Sequence, residues 1–291
     1  MQSNNPIFRR SEEFNSSNSY GNQTYAGSGA PTAGFGQSPV DGSGQWTGTP
    51  DTRAGAPMTI DSVVQKTAIS LGVVIVTAAV TWFLTPDLND LTGDNPESIA
   101  PLFTALMIGS LGAFALSMVN SFKRVVSPAL VLAFCAFEGV ALGAFSKLID
   151  SMFSTPDSGN LVIQAVIGTF AAFAGTLAAY KIFDIKVGSK FRMFVIGAVF
   201  GMIGLSLMEL VLGMFGDNFG LFGFGALGML TAIAGLVLGV FMLILDFDFV
   251  EQGVKNQIPE VESWRAAFAM TVSLVWIYTN LLRLLAIFNS D

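Results

Sequence analysis

Residues 241–251 read Phe-Met-Leu-Ile-Leu-Asp-Phe-Asp-Phe-Val-Glu, an apolar run that ends in three carboxylates, Asp246, Asp248 and Glu251. The run begins near Leu221 and carries no charge up to Leu245. A helix that spans a membrane needs about 20 apolar residues, and this stretch meets that length. A second apolar stretch, Trp264–Phe288, returns soon afterwards, with Pro259 breaking the segment between them. Carboxylates beside a membrane core are costly unless they pair, hydrate or bind a cation. The stretch therefore sets the class, an all-α integral membrane protein, and marks the first place to look for function.

Composition agrees. The chain is 52% hydrophobic and 12% charged, with a mean hydropathy of +0.61, whereas soluble domains carry about 25% charged residues. The net charge of −7 and the lack of a basic cluster exclude nucleic acid as a partner. There is no histidine, which removes the commonest acid/base and transition-metal ligand. Proton chemistry here must run on carboxylates. The single cysteine, Cys135, excludes an intramolecular disulfide and reads as a small buried hydrophobe.

Working outward, seven stretches are long and apolar enough to span: about Ala68–Leu84, Ile99–Val119, Val126–Leu148, Leu161–Phe183, Phe191–Phe215, Leu221–Leu245 and Trp264–Phe288. Thr59-Ile-Asp61 reads as a helix start before the first. Residues 1–57 are rich in Gly, Ser, Asn, Gln and Thr and show no apolar periodicity. Such a segment cannot bury enough surface to offset its ordering entropy, so 1–57 reads as a disordered tail and 58–291 as the membrane domain. The tail's scattered aromatics allow a partner-binding motif, with a spacer the simpler reading. Basic residues gather in alternate connections: Arg53 and Lys66; Lys123 and Arg124; Lys181, Lys186, Lys190 and Arg192; Lys255 and Arg265. The other connections are acidic or bare, with Lys147 the exception. By the positive-inside rule the tail is cytoplasmic and the C-terminus faces outward, in the cell membrane.

Three GxxxG pairs, Gly139/Gly143, Gly197/Gly201 and Gly235/Gly239, predict close helix packing. Glu138 lies near mid-depth of the third span, where a carboxyl must be neutral, paired or hydrated. A cation or proton ligand and a neutral, hydrogen-bonded acid are equal readings. Glu209, near the end of the fifth span, reads as reaching the interface. In the sixth, Asp248 and Glu251 share a helical face and Asp246 lies on another. Two nearby carboxylates suit proton-for-cation exchange, and hard oxygen ligands favour calcium, with Asp246 as the candidate ligand; solvated acids at a helix end are the competing reading. Tyr278, Thr279 and Asn280 form a polar band in the last span, and Arg283 needs a partner or must snorkel outward. A helix this polar reads as central rather than lipid-facing. The connection Phe247–Ser263 is longer than a turn needs, which allows an interfacial helix.

Phe137-Glu138-Gly139 with Leu142-Gly143, the acid at the end of the sixth span and Asn280-Leu281-Leu282-Arg283 in the seventh resemble the transmembrane Bax inhibitor motif family, including its YccA-like and YetJ-like bacterial members. Asn5-Pro-Ile-Phe-Arg-Arg10 and Pro57-Met-Thr-Ile-Asp61 resemble an actinobacterial branch. The resemblance implies six helices surrounding a central seventh. It also implies a pH-sensitive calcium leak governed by two aspartates, one in each of the last two helices. Asp246 matches the first; the second position, three residues before Asn280, is Ile277. Asp248, Glu251 and Glu138 are candidates to substitute. The expected function is thus a non-enzymatic ion channel tuned by these carboxylates, with no resident cofactor and calcium as the transported or bound ion. The other expectation is a non-transporting regulator that docks a partner, such as a membrane protease, through its tail. An intramembrane hydrolase is disfavoured, because no nucleophile–base pair and no facing acid dyad is legible, and no GxxxxGK[ST] loop appears.

Overall fold

The computed structural model describes residues 56–86, 100–154, 160–216 and 219–290. They form seven long helices: α1 (Ile60–Leu84), α2 (Ala100–Phe122), α3 (Pro128–Phe153), α4 (Leu161–Ile182), α5 (Ser189–Met214), α6 (Ala226–Lys255) and α7 (Ser263–Phe288). A 3-10 turn, Glu260–Glu262, leads into α7. All seven are long and apolar enough to cross a membrane. The expected tail lies outside the described residues up to position 55. Ala56 and Pro57 are built into the bundle: Pro57 bridges Pro259, the Met58 amide donates to the Ile258 carbonyl at 2.7 Å, and the Glu260 amide donates to Ala56 at 2.8 Å.

Local chemistry sets the helix limits. Thr59 starts α1 with a capping box, its hydroxyl accepting from the Ser62 amide at 3.1 Å while Ser62 Oγ accepts from the Thr59 amide at 3.2 Å. Proline occupies the first turn of α3. The Asn160 side chain caps α4, accepting from the Ile163 amide at 3.0 Å. Gly216 and Gly220 supply left-handed backbone, φ +87 and +71, for the turn between α5 and α6.

α7 is the most buried of the seven spans. This bears out the expected central helix, and the packing refines it. α1, α3, α4 and α6 pack directly on α7, while α2 rests mainly on α3 and α5 on α6. Since lipid tails are as apolar as leucine, close approach and polar contacts must hold such helices together. Two of the three glycine pairs provide it. A Cβ on Gly139 would stand 2.4 Å from the Val74 carbonyl oxygen, and one on Gly143 2.4 Å from that of Ala78, so α3 and α1 meet backbone to backbone. Gly235 and Gly239 receive Asn280 and Ile277 of α7. The third pair does not behave as expected: Gly197 and Gly201 have open space where a Cβ would go, because α5 has only Val195 buried. Replacing Gly143 with leucine is therefore expected to cost about 1–3 kcal/mol or more, whereas Gly201→Leu stays within about 0.5 kcal/mol. Unfolding of the two variants in detergent, side by side, checks the contrast.

Two further expectations change. No interfacial helix separates the last two spans: α6 runs on to Lys255, and four residues lead to the 3-10 turn. Lys147, the exception in the charge pattern, does not lie in a connection. It is a buried residue of α3 whose ammonium donates to the Trp82 carbonyl at 2.8 Å and to that of Thr85. It thus satisfies carbonyls that the end of α1 leaves open.

Candidate functional site

The last turns of α6 make this helix a hub, because each of its three acids reaches a different helix. Residues two apart on a helix point roughly 200° apart, so Asp246 and Asp248 leave α6 on opposite sides. Asp246 turns to the centre, where Ser273 Oγ of α7 donates to its Oδ2 at 2.6 Å. Ser273 is 1% exposed, so this bond lies inside the bundle. Asp248 turns to α5: Arg192 Nη2 donates to its Oδ2 at 2.8 Å, and Gln252 Nε2 donates to the same oxygen at 2.7 Å. Glu251 turns to α4, accepting at 2.6 Å from the Tyr180 hydroxyl and pairing with Lys255 one turn on. Asp248 and Glu251 share a face, as expected, yet each has its own donors and they do not form a common site.

The start of α7 is held at the same end. Lys66 of α1 pairs with Glu260 at 2.8 Å, and Ser62 and Ser263 hydroxyls bond at 2.7 Å. Arg265 pairs with Glu262 at 2.9 Å and donates to the Arg124 carbonyl at 2.8 Å. Polar links thus join α1, the α2–α3 connection and the start of α7 at this end of the bundle.

The position expected to hold a second aspartate faces Gly239 in this register, and it is Ser273 that engages Asp246. Ile277 is fully buried and lies against Gly239, and Asn280 lies against Gly235. Gly239 is seven residues, or about 10 Å of helix, from Asp246. The α7 residue within reach of Asp246 is Ser273, one turn before Ile277 on the same face.

The other predicted residues are dispersed. Glu138 is half-buried on α3, beside Cys135, with no hydrogen bond or ion pair among the described residues. α3 and α6 share no substantial packing, so Glu138 does not join Asp246. The Tyr278 hydroxyl bonds Ser146 of α3 at 2.6 Å. Thr279 and Asn280 both donate to the Trp276 carbonyl, at 3.1 and 2.8 Å. Arg283 is buried and meets no acid among the described residues; its Nη2 donates to the Leu221 and Gly228 carbonyls at 3.4 and 3.3 Å and to Thr231 Oγ1 at 3.3 Å. Its guanidinium lies 5.2 Å from the centre of the Phe222 ring. Glu209 does reach the end of its helix, accepting from the Phe219, Gly220 and Leu221 amides at 3.3, 2.7 and 3.1 Å. The connection before α6 is therefore gripped by Glu209 through its amides, and Arg283 ties its Leu221 carbonyl to that of Gly228 in α6.

Ser273, Arg192, Tyr180 and Trp276 escaped the sequence reading as site residues. Arg192 entered it only as a loop charge. The signal for Ser273 was its face: it is the hydroxyl one turn from Ile277 on the side toward the acids. Among the described residues no three His, Cys, Asp or Glu side chains gather. Calcium takes about six to eight oxygens, so the arrangement offers single carboxylates along a helix and not a preformed cage.

A family model described as Bax inhibitor 1 like matches residues 5–290. No curated protein matches the chain. The match takes in all seven helices and identifies the family without a branch inside it. A chain of seven spans, matched nearly end to end and built around the helix that carries Asn280 and Arg283, belongs to the Bax inhibitor 1 like family of membrane proteins.

Proposed function

We propose that this multi-pass membrane protein is a non-enzymatic cation leak, with calcium as its favoured ion, and that the contact between Asp246 and Ser273 holds it closed. The reading rests on that bond. It is a carboxylate engaged by one hydroxyl, inside the bundle, between the central helix and the helix that links to α4 and α5. Opening requires α6 and α7 to part at this point. The freed carboxylate then offers a hard oxygen to a passing cation, which suits calcium. Because no cage of ligands surrounds it, the ion passes and is not stored. Proton exchange at Asp246 makes the leak sensitive to pH. In the same reading the end bearing Lys66, Arg124, Arg192 and Arg265 faces the cytoplasm, so Asp246 lies near the cytoplasmic mouth.

Proteoliposomes loaded with a calcium-sensitive dye test the first requirement. Calcium entry above protein-free vesicles is expected. Vesicles with the protein that stay as tight as empty ones at every pH would contradict the reading.

A further inference from the structure

α1 and α4 both pack on α7 but make no substantial contact with each other. The gap between them is a cavity of about 430 Å³, apolar throughout. Its walls are α1 and α4, and its floor is made by Leu142 and Ser146 of α3 and Leu274 and Tyr278 of α7. The two hydroxyls on that floor are bonded to each other at 2.6 Å, and no polar surface faces the cavity. Ligand pockets run to roughly 300–1,000 Å³, and an apolar cavity of this kind stays dry and takes apolar guests.

Its mouth identifies the guest. Ile75 and Phe83 on α1 and Ile163 and Phe170 on α4 line the cavity and are 51%, 84%, 57% and 48% exposed. They lie within spans that cross the membrane and continue the apolar outer surface of the bundle. The cavity therefore opens sideways into the hydrocarbon layer. We propose that it is a binding groove for the acyl chain of a membrane lipid, which enters between α1 and α4 and rests on α7. The chain is the one apolar molecule present at that depth at high concentration, and the groove offers it walls without a polar atom to desolvate. The site is separate from the acids of α6, yet Leu274 directly follows Ser273 in the chain, so the guest touches α7 beside the residue that engages Asp246.

The test uses the full chain in phosphatidylcholine vesicles doped with a phospholipid carrying a diazirine midway along one acyl chain. Photolysis and peptide mapping locate the adducts. Labelling is expected on Leu142 and Leu274, which are only 8% and 4% exposed, as well as on outer positions such as Leu111 and Phe200. Ala79→Phe and Val166→Phe, made separately on opposite walls, fill the groove from its rim, where Ala79 is exposed and Val166 is 36% exposed. Either variant is expected to lose floor adducts several-fold while keeping those at Leu111 and Phe200. Unchanged outer labelling shows that a variant is folded. Outer labelling with an unlabelled floor in the unaltered protein overturns the proposal. So does floor labelling that persists in both filled variants.

Discussion

Replacing Arg192 with methionine is expected to destabilise the bundle by about 2–3 kcal/mol. Breaking a buried ion pair by removing one partner costs about 3–5 kcal/mol, because the other charge is left in a poor solvent. Here the Arg192 and Asp248 side chains are 25% and 11% exposed, so water relieves part of that, and Gln252 still donates to the carboxylate. The effect is large for α5 because little else fastens it: Val195 is its only buried residue and α6 its main neighbour. A double-mutant cycle separates the pair from the side chains. Arg192→Met combined with Asp248→Leu should recover most of the loss, since two apolar groups leave no stranded charge. Urea or heat unfolding in detergent reads the four proteins. A loss below about 0.5 kcal/mol for Arg192→Met, within the range of ordinary surface changes, would show that the pair does not anchor α5.

The second large effect is functional. Ser273→Ala is expected to raise calcium leak roughly 5- to 30-fold, while Ser273→Thr keeps it near the original level. Interhelical hydrogen bonds in membranes are worth about 0.6 kcal/mol on average and about 1.7 kcal/mol at most. A carboxylate acceptor places this one at the upper end, and about 1–2 kcal/mol corresponds to that range in a two-state equilibrium. Threonine retains the hydroxyl; alanine does not. The comparison matters because Ser273 is fully enclosed, so a packing defect alone would affect the threonine variant more than the alanine one. Equal leak in all three proteins would mean that the bond at 2.6 Å does not hold the closed state.

The membrane spans were legible because each is a nearly unbroken apolar run, and hydropathy reports membrane thickness directly. Helix ends were less legible for the same reason. The start of α1 was legible only from its cap: Asp61, Gln65 and Lys66 lower the hydropathy before Ala68, while Thr59-Ile-Asp61 marks the helix start that the structure has at Ile60. α6 runs ten residues past Leu245, because Asp246, Asp248 and Glu251 are compatible with helical backbone once each finds a donor. The charge alternation was legible, and its exception proved to be Lys147 turned inward onto the end of α1. Partner identity was not legible. Which α7 residue meets Asp246 depends on an antiparallel register fixed by Ile277 against Gly239 and Asn280 against Gly235. Sequence spacing along one helix carries no record of the offset between two. Glycine spacing likewise could not separate Gly143, pressed against α1, from Gly201, which has open space around it.

Asp246 is the residue on which the account stands, and asparagine tests it with the least disturbance, since the amide keeps a hydrogen bond with Ser273 but has no proton to exchange. Calcium flux into proteoliposomes, measured from mildly acidic to mildly alkaline pH for the unaltered protein beside Asp246→Asn, is the most direct measurement. The account predicts a flux that changes with pH in the unaltered protein and a pH-independent flux in the variant. A flux with the same pH profile in both would place the pH response elsewhere and contradict the assignment to Asp246.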